Sequence, residues 1–204
     1  MEDFGNTYPN RQLTQLIGSR ICHDLISPVG AISNGLELLR LSGAPEGPEM
    51  ELMQASADNA NGRIRFFRVA FGLSCEDQVM DAEGVRALAA AFFDARIALD
   101  WRLTGDMPRP VAQALCLGLL CAERALLQGG TLAVAGTAGE VRITASGPRI
   151  AQQGGVWDML DGGGADAAPL TAADVQFALL PETLARLGRR AVAEWSGESL
   201  LLRF

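Results

Sequence analysis

The sequence predicts an α+β chain in which a long antiparallel helical hairpin precedes a mixed α/β domain. Three observations carry that expectation. Between residues 9 and 71 apolar side chains recur three or four apart, broken once by the run Ser42-Gly43-Ala44-Pro45-Glu46-Gly47-Pro48. Beyond residue 78 helical and strand-like periods alternate. The composition, 49 % hydrophobic against 20 % charged over 204 residues, suits a chain that builds a core without staples. The boundary is placed between a helical-hairpin domain at 1–75 and a second domain at 76–204.

The first helix is expected over residues 9–41, with Pro28 and scattered glycines as its interruptions. The second is expected over 49–71, where Met53, Ala57, Ala60, Ile64 and Phe67 keep helical spacing and Arg63, Arg65 and Arg68 fall between them. Those arginines read either as a solvated face or as a basic edge for an acidic partner. At 1.5 Å per residue the helices are roughly 48 Å and 34 Å long, and an isolated pair covers its apolar stripe on one side only. A second copy completes a four-helix bundle, so a homodimer is expected.

After a polar break at 74–78, a helix at 82–94 and a strand at 96–103 are expected. Pro108 and Pro110 open a buried helix that reaches residue 127. Strands at 131–135 and 140–145 pair across a glycine-containing turn. A helix over 171–187, bent at Pro181, leads to a hairpin of 191–195 and 199–204 that turns at Ser196-Gly197-Glu198. Helices should cover one face of the resulting sheet. Residues 152–168, rich in Gly, Ala and Asp, read as a mobile loop anchored by Trp157, Met159 and Leu160.

Charge and composition exclude several functions. Seventeen basic against 24 acidic residues leave a net charge of −7, with no basic block to neutralise a nucleic-acid backbone. The apolar run at 111–122 contains Gln113 and is shorter than the roughly 20 residues a membrane span requires. No leader pattern opens the chain, so a cytoplasmic location is expected. Cys22, Cys75, Cys116 and Cys121 show no C-x-x-C spacing and have no companion histidines, which points to free buried thiols rather than a zinc or redox site. His23 is the one histidine in the chain. Any imidazole chemistry must use it or come from another molecule.

On a helical wheel, Ile21, Leu25, Pro28, Ile32, Leu36 and Leu39 cluster opposite His23 and are expected to form the core stripe. Ser27, Gly30 and Asn34 share the direction of His23. A water-facing imidazole beside small and polar residues reads as a docking track for another protein. Such a ring is largely unprotonated at neutral pH and offers a nitrogen lone pair as nucleophile. Asp24 is placed to accept a hydrogen bond from the other ring nitrogen, fixing the tautomer and stabilising positive charge. Pro28 frees the Asp24 carbonyl and should bend the helix just below the reactive position.

Residues 20–39, Arg-Ile-Cys-His-Asp-Leu-Ile-Ser-Pro-Val-Gly-Ala-Ile-Ser-Asn-Gly-Leu-Glu-Leu-Leu, resemble the phosphoacceptor box of two-component signalling, with its His-Asp/Glu-x-x-x-Pro core and downstream Glu-Leu-Leu. The pairing of Cys-His-Asp-Leu-Ile-Ser-Pro with Gly-Ala-Ile-x-Asn-Gly-Leu-Glu is similar to the ChpT-type histidine phosphotransferases of alphaproteobacteria. That resemblance implies that His23 is the phosphorylated residue, Asp24 its acidic partner and the hairpin a dimerisation domain. It also implies that the second domain is a degenerate histidine-kinase-ATPase-like α/β sandwich. The implied partners are response-regulator receiver domains: a hybrid kinase receiver as donor, CtrA-like and CpdR-like cell-cycle regulators as acceptors. Ser27, Gly30, Ala31, Asn34 and Leu38 are the receiver-docking candidates, each readable equally as ordinary helix surface. No cofactor or metal is expected in this chain; Mg2+ should come from the receiver.

An ATP-dependent histidine kinase is the nearest alternative, and its nucleotide boxes are altered here. Cys121 stands where such kinases carry the metal-holding asparagine. Ala145 replaces the adenine-reading aspartate, and Arg149 the second glycine of that box. Residues 175–180, Val-Gln-Phe-Ala-Leu-Leu, stand where a Gly-x-Gly-Leu turn covers the phosphates. A non-catalytic scaffold that dimerises and binds a receiver without accepting phosphate is the third reading.

Overall fold

Two helices make up the hairpin of this computed structural model, which describes residues 10–42, 47–72, 77–151, 154–161 and 170–204. Helix α1 (Asn10–Ser42) is continuous through Pro28, and α2 (Pro48–Ala70) opens on that proline at its first position with Glu49 and Glu51 in its first turn. They run antiparallel: near the tip Gly35 lies against Met53, and lower down Asp24 lies near Arg63. A Cβ at Gly35 would collide with the Met53 side chain, so glycine there sets how closely the helices approach. The breaker residues 43–46 lie outside the described residues, as do 73–76 of the expected polar break.

The expected core stripe of α1 is covered only in part within one chain. Pro28 is buried, and Ile21, Leu25, Ile32 and Leu39 are half-buried, but Leu36 is 51 % exposed. The buried side is rotated toward Pro28 and Gly35, because α2 and the second domain pack there, and none of the described residues covers the Leu36 side.

The second domain holds a five-stranded sheet with strand order β2-β4-β5-β7-β6. Its strands are β2 (Ile97–Leu103), β4 (Gly130–Thr137), β5 (Glu140–Ser146), β6 (Val192–Ser196) and β7 (Ser199–Arg203). The β2–β4 pair is parallel and the others are antiparallel. Leu132, Val134, Val141, Ile143, Leu200 and Leu202 alternate onto one buried face. Across that face lies α4 (Arg109–Ala125), buried almost all round, which is why its sequence reads as an apolar run interrupted only at Gln113 between residues 111 and 122. Helix α3 (Ala82–Phe92) starts where the Asp81 carboxylate accepts from the Gly84 amide at 2.7 Å.

Short strands β1 (Val79–Met80) and β3 (Met107–Pro108) pair antiparallel. Their two residues each are too few to leave a period in the sequence, so neither is expected from it. Residues 171–187 divide into a 3-10 turn (Ala172–Asp174) and α5 (Val175–Arg186) rather than forming one helix. Trp157, Met159 and Leu160 are buried in a 3-10 segment (Gly155–Asp161), with Trp157 edge-on to Phe177 and Trp195. The remainder of the expected mobile loop, 152–153 and 162–168, lies outside the described residues.

Hairpin and second domain meet at the lower end of α2. Phe66 stacks on Phe92 with centroids 4.2 Å apart, and Phe67 and Phe93 complete an aromatic cluster. The Arg109 guanidinium donates to the Val69 and Arg68 carbonyls at 3.0 and 2.7 Å. Gln113 donates to those of Ala70 and Gly72. These donors satisfy carbonyls that the end of a helix leaves without partners.

Candidate functional site

His23 projects from the middle of α1 with its side chain 84 % exposed. Its Nδ1 lies 3.0 Å from Asp24 Oδ1. A carboxylate only accepts, so this contact is a hydrogen bond in the tautomer that carries the proton on Nδ1, the form that leaves the Nε2 lone pair free. The second carboxylate oxygen is held by Arg20, one helical turn back, whose Nε donates to Oδ2 at 2.8 Å; Arg63 Nη1 approaches the same oxygen at 3.8 Å. Asp24 and Arg20 are 10 and 11 % exposed. The acid beside the imidazole is thus fixed while the imidazole itself stands in water.

Arg63 does not belong to a solvated face. Its Nε donates to Asn59 Oδ1 at 3.0 Å and its guanidinium lies over the Phe92 ring at 5.2 Å, placing the charge against Asp24. Arg65 and Arg68 are exposed.

Two depressions flank His23. One, of about 410 Å3, follows the seam between the helices and is lined by Ser27 and Ala31 of α1 and by Ala55, Ser56 and Asn59 of α2. The other, of about 500 Å3, separates the hairpin from the second domain and is lined by Arg20, Arg96, Glu123, Arg124 and Thr171. Of the docking candidates, Ser27 and Ala31 share the seam groove with His23. Gly30, Asn34 and Leu38 lie outside that lining, Asn34 and Leu38 exposed and Gly30 half-buried. Leu38, seven residues past Ala31, and exposed Leu52, three before Ala55, extend the groove faces toward the hairpin tip.

Sequence reasoning missed Arg20, Ala55 and Glu123. The four-residue spacing of Arg20 and Asp24 was a readable signal for the first. Glu123 comes from α4, a hundred residues away from His23, and no local pattern points to it. Burial pushes its carboxyl above the ordinary range, and the Arg20 charge draws it part of the way back. A raised carboxyl in the folded state means stability is lost as pH rises from the unfolded value, near 4, through the folded one. Glu123→Gln is therefore expected to melt higher than the parent at pH 7.5, by roughly 2–4 °C per kcal/mol relieved. The difference should vanish at pH 4. Thermal scans at the two pH values check this, and an equal or lower melting point at pH 7.5 would refute it.

Cys116 and Cys121 are fully buried free thiols, and burial pushes Cys116 up to about 12, so neither is reactive. Of Cys22 only the helical backbone is described, and Cys75 lies outside the described residues. In the altered nucleotide boxes, Cys121, Ala145 and Phe177 are all wholly buried, while Arg149 is exposed. Among the described residues no cluster of His, Cys, Asp and Glu could hold a metal ion, and no helix is long and apolar enough to cross a membrane.

Residues 82–199 match the family described as the histidine phosphotransferase C-terminal domain. The chain belongs to that family. Over 125 residues it is 41 % identical to the protein phosphotransferase ChpT of Brucella abortus (strain 2308), a match covering 60 % of this chain and 59 % of that protein. The alignment thus spans less than two thirds of the curated relative's length. A bacterial phosphotransferase solved at 1.7 Å superimposes with a TM-score of 0.79 and 31 % identity, covering 97 % of each chain. The family match and this structural likeness agree with the α+β fold of the chain. His23 and its neighbours lie before the family-matched residues, on the hairpin.

Proposed function

We propose that this histidine phosphotransferase relays a phosphoryl group between receiver-domain aspartates through phosphohistidine at His23. One observation carries the reading: a water-facing imidazole whose Nδ1 is hydrogen-bonded to a fixed carboxylate, which leaves Nε2 as the nucleophile. The Nε2 lone pair attacks phosphorus of an aspartyl phosphate. The bond to the aspartate oxygen breaks, and its electron pair leaves on the receiver carboxylate. The ring becomes a phosphorylated imidazolium whose Nδ1 proton points at Asp24, which offsets the new charge. Transfer to a second receiver reverses each of these changes.

Mg2+ and the charge stabilisation around the phosphoryl group come from the receiver; this chain supplies nucleophile, orientation and landing surface. Receivers dock along Ser27, Gly30, Ala31, Asn34 and Leu38, where small side chains let another backbone approach. By resemblance the donor is the receiver of a hybrid kinase and the acceptors are CtrA-like and CpdR-like cell-cycle regulators. The second domain does not phosphorylate His23 from ATP, a reading supported by the altered boxes at Cys121, Ala145 and Phe177.

Incubation with a phosphorylated receiver should yield acid-labile, base-stable label on the parent chain and none on His23→Ala. Label surviving in the alanine variant excludes His23 as acceptor. Autophosphorylation from Mg2+-ATP alone would establish the kinase instead, and absence of label from every receiver would leave the scaffold.

A further inference from the structure

Arg20 spans two parts of the molecule. Its Nε holds Asp24 Oδ2 at 2.8 Å, while its Nη1 donates to the Ala173 carbonyl, 153 residues away, at 3.0 Å. Ala173 lies in the 3-10 turn before α5, and that turn is pinned in turn. The Thr171 hydroxyl donates to Asp174 Oδ2 at 2.5 Å, and Arg124 of α4 pairs with Asp174 Oδ1 at 3.1 Å. Gln176, fully buried, donates to the same Ala173 carbonyl at 2.8 Å. A continuous set of contacts thus runs from α4 through the turn and Arg20 to Asp24, and Asp24 Oδ1 meets His23 Nδ1.

We propose that Arg20 is a positioning residue through which the second domain fixes Asp24, and so sets which nitrogen of His23 carries the proton. The proposal rests on the reading of His23 as nucleophile and gives the second domain a part in the transfer. The reason lies in geometry. An i,i+4 ion pair on a free helix is worth little, and its side chains rotate. Anchoring one arm of a planar guanidinium on a backbone carbonyl of another domain leaves the second arm one direction in which to point. Asp24 Oδ2 is then occupied, and Oδ1 is left for the ring. Lysine has the charge without the fork and cannot serve both acceptors in this way.

The single histidine makes the test direct, because imidazole 15N resonances of the labelled full chain arise from His23 alone. Their averaged shifts give the ratio of the Nδ1–H to the Nε2–H form. The parent should strongly favour Nδ1–H. Arg20→Lys should lower the ratio about fivefold, the loss of one ordinary hydrogen bond. The double variant Arg124→Gln/Thr171→Val, which touches neither His23 nor Asp24 but frees the turn, should lower it similarly while the protein still melts cooperatively. A merely structural Arg20 would leave the ratio unmoved. An unmoved ratio in Arg20→Lys, a parent favouring Nε2–H, or a shift in Arg20→Lys alone would each overturn the proposal, the last by cutting the second domain out. The ratio is measured without phosphate, so failure of His23 to accept label is read separately. Where both hold, transfer from a phosphorylated receiver should slow about tenfold in either variant.

Discussion

Asp24→Asn is expected to slow phosphoryl transfer from a phosphorylated receiver about 100-fold, at the lower end of what one positioned acid–base group contributes. The reason is the count of acceptors. Asp24 accepts on both oxygens, from His23 Nδ1 on one and from Arg20 on the other. An amide has a single acceptor oxygen, so its NH2 must face either the ring or the guanidinium, both of which donate. Whichever contact survives, the positive charge formed on His23 loses its counterion, and Arg20 and Arg63 are left without theirs. The time course of label transfer checks this, with melting temperature and oligomeric state as controls. A rate within threefold of the parent would remove Asp24 from the mechanism.

Much of this site was legible because it is local. The His23-Asp24 pair, Pro28 and the small residues after it lie on one helix, and helical periodicity alone puts the imidazole in water. The sheet was legible for a similar reason: Leu132, Val134, Val141 and Ile143 alternate onto its buried face, and turns at 138–139 and 197–198 separate paired strands. What could not be read was contact between distant segments. Arg63 sits among apolar residues at a spacing that suits a solvated flank, and only Phe92 and Asp24 together draw it inward. The Ala172–Asp174 turn looked like the first turn of a helix, because nothing in Thr171-Ala172-Ala173-Asp174 announces that Asp174 serves Thr171 and Arg124. The core stripe of α1 is left half-covered at Leu36 because a wheel shows which side is apolar, whereas a long hairpin has two apolar sides and one partner helix to cover them.

That uncovered side leads to the other large expected effect: we propose that a second copy covers it, so Leu36→Glu/Ile64→Glu should convert the proposed homodimer into a monomer in sedimentation experiments. On α1 the residues Leu25, Val29, Ile32 and Leu36 repeat at the four-three spacing of a coiled-coil seam, and on α2 Met50, Ala57 and Ile64 stand seven residues apart. Val29, Leu36 and Ile64 are about half exposed in the single chain, and Met50 is 40 % exposed. A second hairpin laid on this seam buries each of them, at about 1.5–3 kcal/mol for a fully buried large apolar side chain, less the cost of association. Two-fold symmetry turns two substitutions into four. At about 2 kcal/mol lost for each, the dimer weakens by roughly 8 kcal/mol, about a million-fold in Kd. Both positions are exposed within the chain, so the variant should keep its own fold and melt cooperatively as a monomer. A parent that sediments as a monomer, or a double variant that stays dimeric, would show that the seam is covered by something other than a second copy.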